Sequence, residues 1–313
     1  MINLSPRGLE VLAAVAETGS FAAAANRLGI AQPSVSQHVQ ALERRAGTAL
    51  FLRRRGRSAV LTEAGERVLA HARTMLSDVA RLSEALEVGA GTVRRILFAC
   101  QRPVANAVLP PVLASFARAH PEYELALVAG TLDEVVTHLR DGTADLGCFL
   151  SRWAPEGVAS RAISVERYAL VAAPSHPLAG RSHIDPDELS RQKFVRAAHR
   201  SGFSEQMADM LREAGIGHTP VASRATESGM VRELAAAGVG IWCTLAQAVR
   251  GDIESGALVE LHTGGPPMTM DLRLATGTRR LPAPGARLLA EHIESTLRGA
   301  GRAAIRPPAS APA

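Results

Sequence analysis

Apolar residues recur with helical period three times within the first fifty residues, and the residues between the runs set where each helix stops. Leu9, Leu12 and Val15 share one face of a helix predicted over Pro6 to Glu17, with Ser5 as N-cap and Pro6 at the first helical position, where its missing amide costs nothing. Gly19 ends it. Ser20 caps a second helix in which Phe21, Ala24, Ala25 and Leu28 line one face, and Gly29 sits just past its end. The small alanines let a neighbouring helix come close. A third helix opens at Gln32-Pro33 and runs to about Ala46, with Val35, Val39, Leu42 and Ala46 turned inward and Pro33, Ser36, Gln37, Gln40 and Arg44 turned outward. Beyond it, 49–53 and 58–61 read as two short strands around Arg54-Arg55-Gly56-Arg57, a hairpin with a basic tip.

From Thr62 the period lengthens. Val68, Ala72, Met75, Val79, Leu82 and Leu86 recur every three or four residues, the 3.5-residue spacing of a coiled-coil seam, and Gly89 to Gly91 close the run. A helix about 38 Å long has few places to hide such a stripe in a small domain, so the pattern predicts a homodimer zipped through 62–91. After residue 92 strands alternate with helices: Val93 to Cys100, a helix through Leu109, Leu113 and Phe116, Glu124 to Ala129, a helix from Leu132 to Arg140, then Ala144 to Leu150. That alternation predicts a parallel α/β sheet.

Charge changes the picture of the head. Residues 1–61 carry eight arginines against three glutamates, so the whole +5 of the 313-residue chain resides there and the remainder is neutral. A basic head on a neutral body suits a module that grips phosphates. Two short helices joined by a tight glycine turn form a helix-turn-helix, whose second helix can enter a major groove. The leading turn of that helix offers Gln32, Ser34, Ser36 and Gln37, uncharged groups able to read base edges, while Arg53, Arg54, Arg55 and Arg57 at the hairpin, a candidate wing, could hold a backbone or enter a minor groove. The three cysteines, Cys100, Cys148 and Cys243, are far apart and suit a reducing cytosol; the N-terminus lacks the features of a secretory signal, and no window approaches a membrane span. No metal-ligand cluster, phosphate loop or nucleophile elbow is present, so neither a cofactor nor an enzyme is expected.

Residues 5–90 resemble the LysR-type transcriptional regulators. The resemblance rests on Leu9 through Phe21, Ala24-Ala25-Asn26-Arg27-Leu28, Gln32-Pro33-Ser34-Val35-Ser36, Leu42-Glu43, Leu50-Phe51 and Leu61-Thr62-Glu63-Ala64-Gly65. Ala31 departs from the family, which usually places Ser or Thr before Gln-Pro. By resemblance Gln32, Pro33, Ser36 and Gln37 would face bases, and Ser34 and Arg53 would lie near backbone or wing contacts. The following motifs, among them Gly142 with Ala144-Asp145-Leu146-Gly147 and Ala236 through Ile241, are similar to the family's effector domain, itself similar to periplasmic solute-binding proteins. The implied fold is α/β: an N-terminal winged helix-turn-helix (1–61), a long dimerisation linker helix (62–91), and a two-lobed periplasmic-binding-protein-like effector domain (92–298; lobe I about 92–160 and 267–298, lobe II about 161–266), followed by a disordered tail (299–313).

Open α/β sheets bind ligands at the carboxyl ends of their strands. That rule, with the family's contacts at equivalent loops, selects Cys100-Gln101-Arg102-Pro103, Gly130-Thr131, Arg200-Ser201-Gly202-Phe203 and Thr226. Arg102 or Arg200 would pair with an anionic group and Phe203 would pack the apolar part of a small-molecule effector. The expected partners are thus double-stranded DNA carrying a partly palindromic operator, the effector, and further copies of the chain. The resemblance implies a homotetramer built as a dimer of dimers, acting in activation or repression, with RNA polymerase as a further partner and no membrane. The alternative is a nucleoid or replication-control protein with the same head and no specific inducer.

Overall fold

The computed structural model describes residues 5–52, 58–86, 94–198, 202–278 and 284–304, and the chain divides into two compact units, a head (1–92, with 141–143) and a body (93–140 and 144–313).

In the head, α1 (Pro6–Thr18), α2 (Phe21–Leu28) and α3 (Gln32–Ala46) form where their caps dictate. Ser5 Oγ accepts the Gly8 amide at 3.2 Å and Ser20 Oγ that of Ala23 at 3.4 Å, each satisfying one of a helix start's orphan donors. Gly29 ends α2 in the left-handed region at φ +63, which a side chain would strain, and this makes the turn into α3 tight. Leu9, Leu12, Val15, Ala24, Val35 and Leu42 close the core between the three helices. Ala46 differs from its expected inward position: it is exposed, in the last turn of α3. The two strands are shorter than expected, β1 (Phe51–Leu52) and β2 (Val60–Leu61), paired antiparallel with Phe51 opposite Leu61. Glu43 supplies what ties them to α3, its Oε1 accepting the amides of Leu50 and Phe51 at 2.9 and 3.3 Å.

Ala31, at the start of α3, offers no side-chain cap. It is exposed and extended (φ −69, ψ 142), a conformation that serine adopts freely. Ala31→Ser therefore stabilises the head by about 1 kcal/mol, read as a raised midpoint in chemical denaturation; an unchanged or lowered midpoint would count against the capping argument.

α4 (Glu63–Leu86) follows, capped by Thr62, whose Oγ1 accepts the Gly65 amide at 3.0 Å. Its stripe is divided between two environments. Ala72 is fully buried and Val68 half-buried in the head's own core, so these two expected seam positions pack within the chain; Met75, Val79 and Leu82 stay 47%, 48% and 61% exposed. The period was the same for both sets because α4 begins against α1 and runs past it. The side chain of Leu86 lies outside the described residues.

The body's sheet is mixed, which corrects the parallel expectation. Its elements are β3 (Arg94–Gln101), α5 (Arg102–Ala107), α6 (Pro110–Ala119), β4 (Tyr123–Gly130), α7 (Leu132–Arg140), β5 (Leu146–Leu150), β6 (Val158–Ala172), α8 (Pro186–Ser190), β7 (Phe194–Ala197), α9 (Gly202–Glu213), β8 (Val221–Ala225), α10 (Ser228–Ala236), β9 (Trp242–Leu245), a 3-10 turn (Ala246–Val249), α11 (Arg250–Glu254), β10 (Val259–Leu261), β11 (Thr269–Gly277) and α12 (Pro284–Ala304). Seven strands run β10-β6-β11-β5-β3-β4, with β9 also on β6, and β7 pairs with β8 separately. Among the paired strands of the described residues only β3–β4, β3–β5 and β7–β8 are parallel, and each of these pairs is joined through at least one helix. β6 follows β5 without an intervening helix and β11 enters between them on the return, so both of its neighbours run antiparallel to it.

The fifteen residues of β6 join the two lobes. Val158 to Arg167 pair with β11 in lobe I, and Tyr168 to Ala172 pair with β9 and β10 in lobe II. Lobe I buries both faces of its sheet: Phe98, Cys100, Leu146 and Cys148 pack on one side, Ala99 and Phe149 on the other, which is why β5 reads as an unbroken apolar run. Lobe II has its own core around Leu170, Ile184, Phe194 and Ile241. α12 continues to Ala304, past the expected boundary at 298, and 305–313 lie outside the described residues.

Candidate nucleic-acid interface and effector cavity

α3 presents a polar face. Gln32, Pro33, Gln37, Gln40 and Arg44 are exposed, and Ser34 and Ser36 are half-buried at its margin. The side chains of Gln32, Ser36, Gln37 and Gln40 make no hydrogen bond among the described residues, whereas Arg7 and Arg27 are held by Glu10 and Glu17 at 2.8 and 2.6 Å. Gln32, Ser36 and Gln40 line a concavity of about 650 Å³ with Ser20, Leu52 and Ser58, so the start of α2, the face of α3 and the hairpin border one groove. Phe21 stacks edge-on against Phe51 at 5.6 Å beneath it. The arginines expected at the tip, Arg53, Arg54, Arg55 and Arg57, lie outside the described residues.

The residues expected around an effector separate into three groups. Cys100 and Gln101 belong to β3 rather than to a loop, and both are buried. Gln101 Oε1 accepts the Leu150 amide at 2.8 Å, stapling β3 to β5 where their ladder ends. Cys100 stands in register with Cys148, a neighbour that sequence distance concealed. Burial pushes the Cys100 thiol up to about 11 and that of Cys148 well above its ordinary value, so neither is a ready thiolate. Arg102 and Pro103 open α5.

A second group gathers on Glu134. Its carboxylate accepts the Thr131 amide at 2.7 Å while Thr131 Oγ1 accepts the Glu134 amide at 3.2 Å, a capping box that starts α7. Gly130 lies against the same carboxylate, and Arg102 reaches it at 4.0 Å. Thr226 is exposed between β8 and α10, and Arg200 and Ser201 lie outside the described residues.

The third group borders a cavity of about 810 Å³ in the body. Pro103 and Phe203 line it, and sequence reasoning missed most of the rest: Tyr168 on β6, Arg196 on β7, Arg224 on β8 and Trp242 on β9. An arginine inside each of two otherwise apolar or small-residue strand runs was the available signal. α9 lines the cavity through Met207 and Leu211, while its other side is held by lobe I. Buried Gln206 accepts the Arg152 amide at 2.8 Å and donates to Ser151 Oγ at 3.2 Å, and Arg152 grips Glu213 through both nitrogens at 2.8 and 2.7 Å. Those hydrogen bonds hold the Glu213 carboxyl below its ordinary value. The tie is therefore present at neutral pH and is lost only on acidification through that lowered value.

Residues 6–66 match the model for the bacterial regulatory helix-turn-helix protein of the lysR family, and residues 89–298 match the LysR substrate binding domain. The RuBisCO operon transcriptional regulator of Allochromatium vinosum is 30% identical over 296 residues, covering 91% of this chain and 94% of the relative. The transcriptional regulator CfxR of Cupriavidus necator is 28% identical, covering 96% of this chain and 94% of the relative. The crystal structure of full-length CbnR complexed with its target DNA superposes with a TM-score of 0.67 at 25% identity, over 93% of this chain and 99% of that one.

Proposed function

Because the chain belongs to the LysR family of bacterial transcriptional regulators, which bind DNA through their helix-turn-helix and are not enzymes, we propose a division of labour among its own residues. Gln32, Pro33, Ser36 and Gln37 read bases in a major groove, Ser34 and the arginines of the hairpin hold the backbone, and α4 pairs two heads through Met75, Val79 and Leu82 on a partly palindromic site. The observation that carries this reading is the exposed, uncharged face of α3, whose glutamine side chains make no hydrogen bond within the described residues. A polar face without internal partners gains most from base edges that supply them. The protein works in the cytoplasm, on DNA, and none of its described helices is long and apolar enough to cross a membrane.

The body supplies the control. A small molecule in the 810 Å³ cavity bears on α9 through Phe203 and Met207, and α9 carries Gln206 and Glu213 to the Ser151–Arg152 segment of lobe I. A ligand that prefers one arrangement of that tie shifts the lobes, and through a tetramer the spacing of the heads. Footprinting on the duplex upstream of its own coding sequence, with and without cell metabolite extract, tests the reading. One discrete protected operator, altered by the extract, is expected. Uniform weak protection indifferent to the extract would point to an architectural protein instead.

A further inference from the structure

We propose that the cavity takes a monoanionic amphipath, its carboxylate seated on the guanidinium groups of Arg196 and Arg224 and its apolar body lying against Phe203, Met207 and Trp242. This rests on the effector reading above and assigns the chemistry of the ligand.

Arg196 and Arg224 are register partners on the parallel strands β7 and β8, so they stand about 5 Å apart at the backbone on one face of the sheet. Both border the cavity. Like charges placed opposite each other in this way are destabilising. Several other arginines of the body are neutralised: Arg152, Arg181 and Arg232 each reach a carboxylate at 2.8 Å or closer. Neither Arg196 nor Arg224 has a carboxylate within ion-pair distance among the described residues. Arg196 is held by Thr219 Oγ1 and lies over the Phe194 ring at 5.8 Å, so its fork is set in advance. Burial, then the charge of Arg224, pushes its guanidinium below the ordinary value, the direction in which an added anion would bring relief.

The walls limit what else the ligand can carry. Most of the lining is apolar, and Glu205 also borders the cavity, so a second anionic group on the ligand would meet a like charge. A polyhydroxylated or multiply charged metabolite is therefore disfavoured against a carboxylate on an aromatic or aliphatic frame. Tyr168 borders the same space, and its hydroxyl is buried with no hydrogen-bond partner among the described residues.

Trp242 lines the cavity, which makes its fluorescence a direct readout in full-length protein carrying Trp153→Phe. The probes are cinnamate and octanoate, their neutral amides, succinate, and inorganic phosphate. The two monocarboxylates are expected to bind, and their amides, succinate and phosphate to bind at least tenfold more weakly. Arg224 is exposed and without a partner among the described residues, so Arg224→Gln, which also removes the like-charge repulsion on Arg196, should leave the melting temperature unchanged or raise it while lowering cinnamate affinity about 10- to 100-fold. Amides binding as well as acids, succinate or phosphate binding best, unchanged affinity in Arg224→Gln, or no binding by either monocarboxylate would each overturn the inference. The effector reading fails separately, if metabolite extract leaves DNA affinity and footprint untouched.

Discussion

Gly65→Ala abolishes DNA binding while the body keeps its own melting transition. Gly65 sits in the first turn of α4, and a Cβ built there overlaps the Leu50 carbonyl oxygen and comes within 2.8 Å of Leu61 Cδ2. The carbonyl cannot easily retreat. It accepts the Thr62 amide at 2.9 Å, and on its other side the Leu50 and Phe51 amides are fixed by Glu43. Alanine gains about 1 kcal/mol over glycine in a helix, but forcing an extra carbon into a packed backbone crossing costs about 3 kcal/mol or more. The clash wins, and the cost falls on a unit of some ninety residues with little stability to spare. Two resolved calorimetric transitions, the lower one shifted down or lost, are the expected record; a variant with wild-type melting and operator affinity would show that α4 does not lean on β1 as described.

Leu82→Glu should separate the dimer proposed through α4. Met75, Val79 and Leu82 are large, apolar and 47% to 61% exposed along α4, so in a pair each would remove its side chain from water twice over. Burying a leucine contributes about 2 kcal/mol, and a glutamate in its place adds the cost of taking a charge out of water. With one substitution on each of two chains, the dimer dissociation constant should rise at least about a hundredfold. Ala72→Glu is a different experiment, because Ala72 is fully buried in the head's own core and the charge would unfold the domain. Sedimentation of Leu82→Glu at micromolar concentration should show smaller species with an intact far-ultraviolet helix signal. An unchanged assembly would remove α4 from the interface.

The contrast between Leu82 and Ala72 shows where sequence stops being legible. A 3.5-residue period says that one side of a helix is covered and is silent about what covers it, so Val68 and Ala72 read like Met75 and Val79. Caps were legible because Ser5, Ser20 and Thr62 act on amides three residues away. Glu43 was not, because the amides it accepts lie seven and eight residues on, across a turn. The mixed sheet escaped for a related reason: alternation of strands and helices describes only local connections, while β6 and β11 meet across about a hundred residues. The Cys100–Cys148 and Arg196–Arg224 neighbours are also products of strand register, which no spacing in the chain encodes. Gln101, expected at a ligand, staples β3 to β5 through the Leu150 amide, and a polar side chain at a strand end reads the same in sequence for either role.

Operator choice, as proposed, depends on base reading by the exposed face of α3. Selection from a pool of random duplexes at physiological salt, where phosphate contacts alone give little advantage, tests it most directly. Wild-type protein should enrich an inverted-repeat motif, and Gln37→Ala should relax the preference at one position in each half-site, by about 1–3 kcal/mol of discrimination, without altering binding to unrelated DNA. A wild-type pool that stays random after repeated rounds, or a motif that Gln37→Ala and Gln32→Ala leave untouched, would contradict it.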